Sequence, residues 1–272
     1  MSKFFCIAIV VLLILTSVVI LSMLPNPLPL PDKRNPQALR MVTVNLKYVN
    51  KQATEVSMAL LKTGFDLLIC LEWTGKNIDI DRLKKQGYRV ALDAPRRGTH
   101  GICIIAKQSL PFTTKLVSSP VAGPCAMPIG TARLQLKERY IVVLGVHAPP
   151  PISTCKGTTI PTLETICSWV RDGVLQRDVG AGKTGDVVII AGDFNMYPFH
   201  PVFHRFKEVG LRDVFREANW RLGLTWKPLS WLPPMVRIDY ILTGKHFQTV
   251  NAYVFNIPGS DHRGVAGDLM FH

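Results

Sequence analysis

The sequence predicts a mixed α/β domain built on packed sheets, and three observations predict it. Eight apolar runs of five to eight residues, rich in β-branched side chains, recur between Met41 and Leu269, and runs of that length are strand-sized. Two longer stretches carry helical spacing of apolar residues instead. The strands cluster between those few helices, which argues for sheets packed on one another.

Taken in order, the first feature is Phe4 to Leu24, which holds no charge and only Thr16, Ser17 and Ser22 as hydroxyl residues. A stretch of this length spans a bilayer core of roughly 30 Å. A cleaved signal peptide would have a shorter apolar core and a small-x-small site after it; here the segment runs into Met23-Leu24-Pro25. Residues 1–24 are therefore expected to be an uncleaved single-pass anchor in the cell membrane. Lys3 precedes the segment, and Lys33, Arg34 and Arg40 follow at a distance. The lysine on the short head favours a cytoplasmic N-terminus and an extracytoplasmic domain. Residues 25–38, with Pro25, Pro27, Pro29, Pro31 and Pro36, read as a stiff spacer. Residues 39–272 read as one globular domain.

Within that domain the strand candidates are Met41–Asn45, Leu67–Leu71, Gly101–Ala106, Thr131–Leu136, Tyr140–His147, Val187–Ala191, Ile238–Leu242 and Val265–Leu269. Lys51 to Lys62 reads as a helix. So does Thr159 to Asp178, with Leu163, Ile166, Cys167, Val170 and Val174 on one face. There is no internal repeat and no low-complexity tract. None of the six cysteines forms a C-x-x-C pair, and no histidine is spaced to complete a zinc site. Cys70 and Cys103 sit in strand-like runs and are expected as buried thiols. A disulfide from Cys155 has two candidate partners, Cys125 and Cys167, and the choice stays open. The net charge of +13 favours polyanionic partners, either nucleic acid or anionic lipid headgroups.

The polar residues with catalytic chemistry fall where the apolar runs end. Asn45, Glu72 and His147 close three of them; Asp193 and Asn195 follow Val187–Gly192. Asp239 lies in Arg237-Ile-Asp-Tyr240, and Asp261-His262 follow Pro258-Gly-Ser260. One such residue would be an ordinary turn former. Six strand ends carrying a carboxylate, amide or imidazole describe a site on a rigid scaffold. The oxygen donors Glu72, Asp261 and Asn45 suit Mg²⁺ or Mn²⁺.

These segments resemble the endonuclease/exonuclease/phosphatase superfamily, whose members include DNase I, abasic-site endonucleases, neutral sphingomyelinases and inositol polyphosphate phosphatases. Gly192-Asp-Phe-Asn195, Arg237-Ile-Asp-Tyr240 and Ser260-Asp-His262 carry the resemblance, in family order, with Asn45, Glu72 and His147 upstream. It covers roughly residues 39–272 and implies a four-layered α/β/β/α sandwich. By the same resemblance Glu72 is the principal metal ligand, with Asp261 and Asn45 beside it. Asp193 orients or deprotonates the attacking water, and Asn195 binds the phosphate. His262, held by Asp239, contacts a phosphoryl oxygen, and His147 acts on the phosphate or the leaving oxygen. Asp93 is the carboxylate that would steady His147. The chain departs from the pattern at Leu71, where the family usually has Gln, and at Lys47, where it often has a polar or acidic residue. Val146-His-Ala148 stands in place of Thr-His-Leu.

Lesser features have plainer readings. Trp73 can stack a base or pack the cleft wall; Arg96 and Arg97 read as a solvated loop. His100, His200, His204 and His246 read as surface histidines. Trp220, Trp226 and Trp231 are expected in the core or at the rim of the site, the alternative being that they dip into the interface of a nearby bilayer. The function expected is a membrane-anchored, divalent-metal-dependent phosphodiesterase, first of all a nuclease. A phospholipid or sphingomyelin-type headgroup phosphodiesterase or phosphatase is the alternative, and an inactive binding module on the same fold is the reading from another class. No obligate protein partner is evident from the sequence.

Overall fold

The computed structural model describes residues 35–136, 139–173 and 187–272, with scattered helical positions between 9 and 21. The spacer up to residue 34 lies outside the described residues, as does most of Phe4–Leu24. Among the described residues no helix is long and apolar enough to cross a membrane.

Two six-stranded sheets form the domain. One runs β11 (Phe247–Asn256), β12 (Arg263–Phe271), β1 (Leu39–Asn45), β2 (Leu67–Leu71), β4 (Ile102–Lys107) and β3 (Tyr88–Ala94). The other runs β5 (Phe112–Val117), β6 (Ile129–Leu136), β7 (Arg139–His147), β8 (Val187–Asp193), β10 (Asp239–Thr243) and β9 (Arg212–Asp213). Each sheet is antiparallel except for one parallel pair, β1 with β2 and β7 with β8. A parallel pair needs a crossover. Helix α1 (Ala53–Thr63) lies within the first crossover, and α3 (Thr159–Arg171) within the second. The short helices α2 (Ile80–Lys85), α4 (Val202–Glu208) and α5 (Val214–Ala218) are the other α-helices among the described residues from 35 onward.

The central strands are apolar on both faces because both faces are covered. Met41, Leu67 and Ile69 meet Leu134, Ile141 and Ile189 between the sheets. On the outer face of the first sheet, Val42, Val44 and Leu68 pack under Val56 and Leu60 of α1. On the outer face of the second, Val142, Leu144 and Ile190 pack under Leu163 and Ile166 of α3 and Phe203 and Phe206 of α4. The layers are thus helix, sheet, sheet, helix.

All eight expected strands form, and they are the eight interior ones. The four strands that the apolar-run pattern missed, β3, β5, β9 and β11, are the four sheet edges. An edge strand has a solvent side and carries polar residues there, as Phe112-Thr-Thr-Lys-Leu-Val117 does. The helix expected from Thr159 is ordered through Arg171; residues 174–178 of that expectation lie outside the described residues.

Arg40, counted in the sequence as a positive charge flanking the anchor, is instead buried. Its Nε and Nη2 donate to Asp268 at 2.6 and 2.8 Å, and its Nη1 donates to the Thr63 carbonyl at 2.6 Å. This clamp joins β1, β12 and α1 at the end of the sheet remote from Asn45. A disulfide joins Cys125 to Cys155, which decides between the two partners; Cys167 keeps a free thiol that donates to the Arg205 carbonyl.

Candidate active site

One edge of the sandwich collects the ends of β1, β2, β7 and β8 and the starts of β10 and β12. Parallel pairing sets Asn45 beside Leu71, the last residue before Glu72, and His147 beside Asp193. Antiparallel pairing sets Asp193 beside Asp239. Register alone therefore converges residues that are far apart in the chain. Gly192 permits the last step: its φ is 146°, and a Cβ there would stand 1.8 Å from the Val146 carbonyl oxygen, so only glycine lets β8 deliver Asp193 against β7.

Asn45 is buried and bridges two carboxylates. Its Nδ2 donates to Glu72 Oε1 and to Asp193 Oδ2, both at 3.1 Å, while its Oδ1 accepts from the Lys47 amide. Glu72 sits at φ 56°, a left-handed conformation that a non-glycine residue adopts at a cost. That twist turns its Oε2 onto the Tyr48 amide at 2.8 Å. Asp193 is buried, and its Oδ1 accepts from the Asn195 amide at 2.8 Å. Burial first, then the neighbouring Asp239 charge, push the Asp193 carboxyl up to about 7, against the pull of His262, Asn195 and Asn45.

The two histidines face Asp193 from either side, with Nε2 of His147 at 3.7 Å and of His262 at 3.8 Å. Their other ring nitrogens have different partners. His262 Nδ1 meets Asp239 Oδ2 at 3.0 Å. Burial pulls the His262 pKa down, but the charge and hydrogen bond of Asp239, aided by Asp193 and Asp261, outweigh it and lift it to about 9. His147 Nδ1 meets the Thr99 carbonyl at 3.1 Å. A carbonyl only accepts, so Nδ1 carries the proton and the neutral ring offers a lone pair at Nε2. Burial holds His147 below its ordinary pKa, against the raising effect of Glu72. One ring is thus held cationic and the other neutral, a division suited to acid–base work.

Eight site residues were expected from sequence. Asn45, Glu72, His147, Asp193, Asn195, Asp261 and His262 line one cleft of about 410 Å³, and Asp239 stands behind His262. Asn195, at φ 48°, spends one amide hydrogen on the Ala148 carbonyl. Asp261 faces Lys47, with Oδ2 3.5 Å from Nζ. Two expectations need correction. Asp93 does not hold His147; it accepts from Trp73 Nε1 at 2.7 Å, and Trp73 is buried in the core on the outer side of the first sheet rather than lining the cleft. Trp220 and Trp231 are exposed rather than packed, and of the three tryptophans Trp226 alone lines the cleft. Asn45 donates to both carboxylates, while its Oδ1 accepts the Lys47 N–H with one lone pair and keeps the other. Sequence reading missed the Thr99 carbonyl. It also missed Thr225, whose buried Oγ1 accepts from the amides of Ile238 and Asp239, and Ser260, whose hydroxyl ties Asn45 to His262.

The chain matches the endonuclease/exonuclease/phosphatase family over residues 43–262. It belongs to that family. A family member from Leptotrichia buccalis C-1013-b superposes with a TM-score of 0.64 at 17% identity, over 86% of this chain and 100% of the other. TDP2 from Caenorhabditis elegans superposes with a TM-score of 0.67 at 12% identity, over 89% of this chain and 77% of the other. TDP2 from D. rerio, complexed with a single-strand DNA product, gives 0.65 at 14% identity, over 85% and 98%. No curated protein matches the sequence. At these identities the solved structures show a common fold. Family members are divalent-metal-dependent phosphoester hydrolases. The residues of this cleft fit such an ion: Glu72 and Asp261 bring carboxylate oxygens to one cleft, and no thiolate lines it. Asp193, Asp239 and His262 also lie close enough together to share an ion. The Asp239–His262 hydrogen bond engages that group and Asp239 stands behind the cleft, whereas Glu72 and Asp261 line it.

Proposed function

We propose that the chain is a divalent-metal-dependent phosphodiesterase held at a membrane by residues 4–24, with nucleic acid as its first substrate class. The observation that carries the chemistry is one buried carboxylate, Asp193, set 3.7 and 3.8 Å from two imidazoles of opposite character. Mg²⁺ or Mn²⁺ held by Glu72 and Asp261 would gather charge from the phosphoryl oxygens. Asp193 then orients the attacking water and takes its proton as the water oxygen bonds to phosphorus and the P–O bond to the leaving group breaks. Its raised pKa makes it a competent base near neutrality. His262, charged and held by Asp239, donates from Nε2 to a non-bridging oxygen as negative charge builds. Asn195 donates its remaining amide hydrogen to the phosphate. His147, with its Nδ1 proton held by the Thr99 carbonyl, offers the Nε2 lone pair 3.7 Å from Asp193 and would accept the water proton from Asp193 and pass it to the leaving oxygen.

The net charge of +13 and the likeness to TDP2 solved with a DNA product support nucleic acid. A second reading, a lipid-headgroup phosphodiester, is supported by the apolar side chains that line the cleft, among them Met127, Pro150, Ile152, Tyr197 and Trp226. The anchor is supported by the uncharged run of Phe4 to Leu24. The test uses the full chain in detergent micelles, offered single-stranded DNA, RNA and mixed lipid micelles with Mg²⁺, Mn²⁺ or EDTA. Cleavage of a phosphodiester by the wild type, abolished by EDTA and by Asp193→Asn, is expected. Stoichiometric binding without turnover of any of the three would sink the proposal in favour of a binding module.

A further inference from the structure

We infer that the catalytic edge of the domain is itself a lipid-docking surface, one that seats the mouth of the cleft on the headgroup layer of a bilayer. The loops at this edge expose large apolar side chains. Phe199 and Trp231 are each 77% exposed, Ile152 is 67% and Met235 is 54%, and Tyr197 and Val49 are also exposed. They come from four different loops: Leu46–Asn50 after β1, Ala148–Thr158 after β7, Phe194–Pro201 after β8 and Thr225–Ile238 before β10. All four open on the edge that holds Asp193. Isolated exposed apolar residues are ordinary; several gathered around one cleft mark a contact surface.

The side chains point to lipid rather than to nucleic acid. Stacking on bases asks for flat aromatic faces, whereas this rim mixes Ile, Val and Met with the aromatics, and Pro151, Pro228 and Pro233 are exposed among them. Trp and Phe tips with aliphatic neighbours are the composition that enters an acyl–headgroup boundary. Exposed Arg96 and Arg97 and the partly exposed Lys47 and Lys227 stand near the same edge, where they meet anionic headgroups.

The chain outside the described residues can reach such a pose. Strand β1 enters the domain at Leu39, at the end of the sheet remote from the site, about 20 Å from Asn45 at ~3.3 Å per residue. Residues 25–34, the part of the spacer outside the described residues, reach about 33–36 Å at most. That is long enough for the anchored domain to turn its catalytic edge to the same membrane. A domain so docked meets a phosphodiester within the headgroup layer, so the inference deepens the lipid reading of the proposed function and rests on the proposed anchor.

Tryptophan fluorescence tests it, because none of the five tryptophans lies in residues 4–24, so any lipid contact they report belongs to the domain. The full chain is reconstituted in phosphatidylcholine–phosphatidylglycerol vesicles with and without bromine on the acyl chains. Brominated lipid is expected to quench the emission roughly twofold. Trp231→Phe should remove most of the quenchable part. The pair Phe199→Ser and Ile152→Ser, which leaves every tryptophan in place, should restore emission. Protein that sediments with the vesicles yet is not quenched overturns the docking surface while leaving the anchor standing. Equal quenching of the Phe199/Ile152 variant overturns it too. Protein that fails to sediment overturns the anchor and this inference together. Quenching by a single-stranded oligonucleotide in micelles, with none by brominated vesicles, makes the rim a base-stacking platform and refutes the proposal. Loss of phosphodiesterase activity in every assay, with quenching intact, refutes the function and not the surface.

Discussion

Asp193 is surrounded by an amide from Asn45, a backbone N–H from Asn195 and two imidazoles. Its role and that of Glu72 can be separated from their folding by changes that keep shape and remove charge. Glu72→Gln and Asp193→Asn should each lower metal-dependent turnover by about 10²–10³ or more. Circular dichroism and thermal unfolding should stay close to wild type. Either variant keeping more than about a tenth of the activity would remove that residue from the mechanism. His262 and Asp239 lie 3.0 Å apart and act as one donor. His262→Ala and Asp239→Ala should each be severely impaired, and the double variant little worse than His262→Ala alone. A double-mutant cycle returning the full sum of the two losses would show that Asp239 acts on something other than His262.

At the level of elements, the cleft depends on loops as well as on strand ends. Met127 on the β6 side and Pro150, Pro151 and Ile152 beyond β7 form its apolar wall, and the Cys125–Cys155 disulfide ties those two loops together. A covalent cross-link restricts the unfolded chain. The double variant Cys125→Ser/Cys155→Ser should therefore lose about 2–4 kcal/mol of stability, read by denaturant unfolding. It should also bind substrate more weakly while keeping the charge arrangement at Asp193, so KM should rise more than kcat falls. Unchanged stability and KM would mean that the two loops hold their places through packing alone. The buried thiols of Cys70 and Cys103, pushed well above the ordinary range by burial, should stay unreactive towards thiol reagents in the same native samples.

For the whole molecule, the open matter is how domain and membrane are related. If residues 4–24 remain as an anchor, carbonate extraction should leave the full-length chain in the membrane pellet, with an intact N-terminus by mass spectrometry. With Lys3 on the short head before the apolar run, the domain should lie outside the cytoplasm. Protease added to intact spheroplasts should then release it by cutting between residues 25 and 38. Protection until lysis would reverse the orientation and make intracellular phosphodiesters the substrates to pursue. An extracytoplasmic domain also agrees with the Cys125–Cys155 disulfide, since such bonds persist in oxidising compartments.

The sequence by itself determined the interior of this protein and the identity of its chemical groups. Strands covered on both faces must be apolar along their length, so β1, β2, β4, β6, β7, β8, β10 and β12 announce themselves in composition, and their ends carry the carboxylates, amides and imidazoles of the cleft. Edge strands answer to solvent on one side, and β3, β5, β9 and β11 therefore left no such run. Pairings were decided only by the tertiary structure. Thr99 holds His147 through a backbone carbonyl, which has no side-chain signature. Asp93 is captured by Trp73, twenty residues away in the chain, before it can reach His147. Cys155 had two partners of equal standing until folding brought the loops after β5 and β7 together. Apart from Trp231, which the sequence already offered for the rim, the apolar border of the cleft is invisible in sequence, because Val49, Ile152 and Phe199 are scattered apolar residues until strand register sets their loops on one edge.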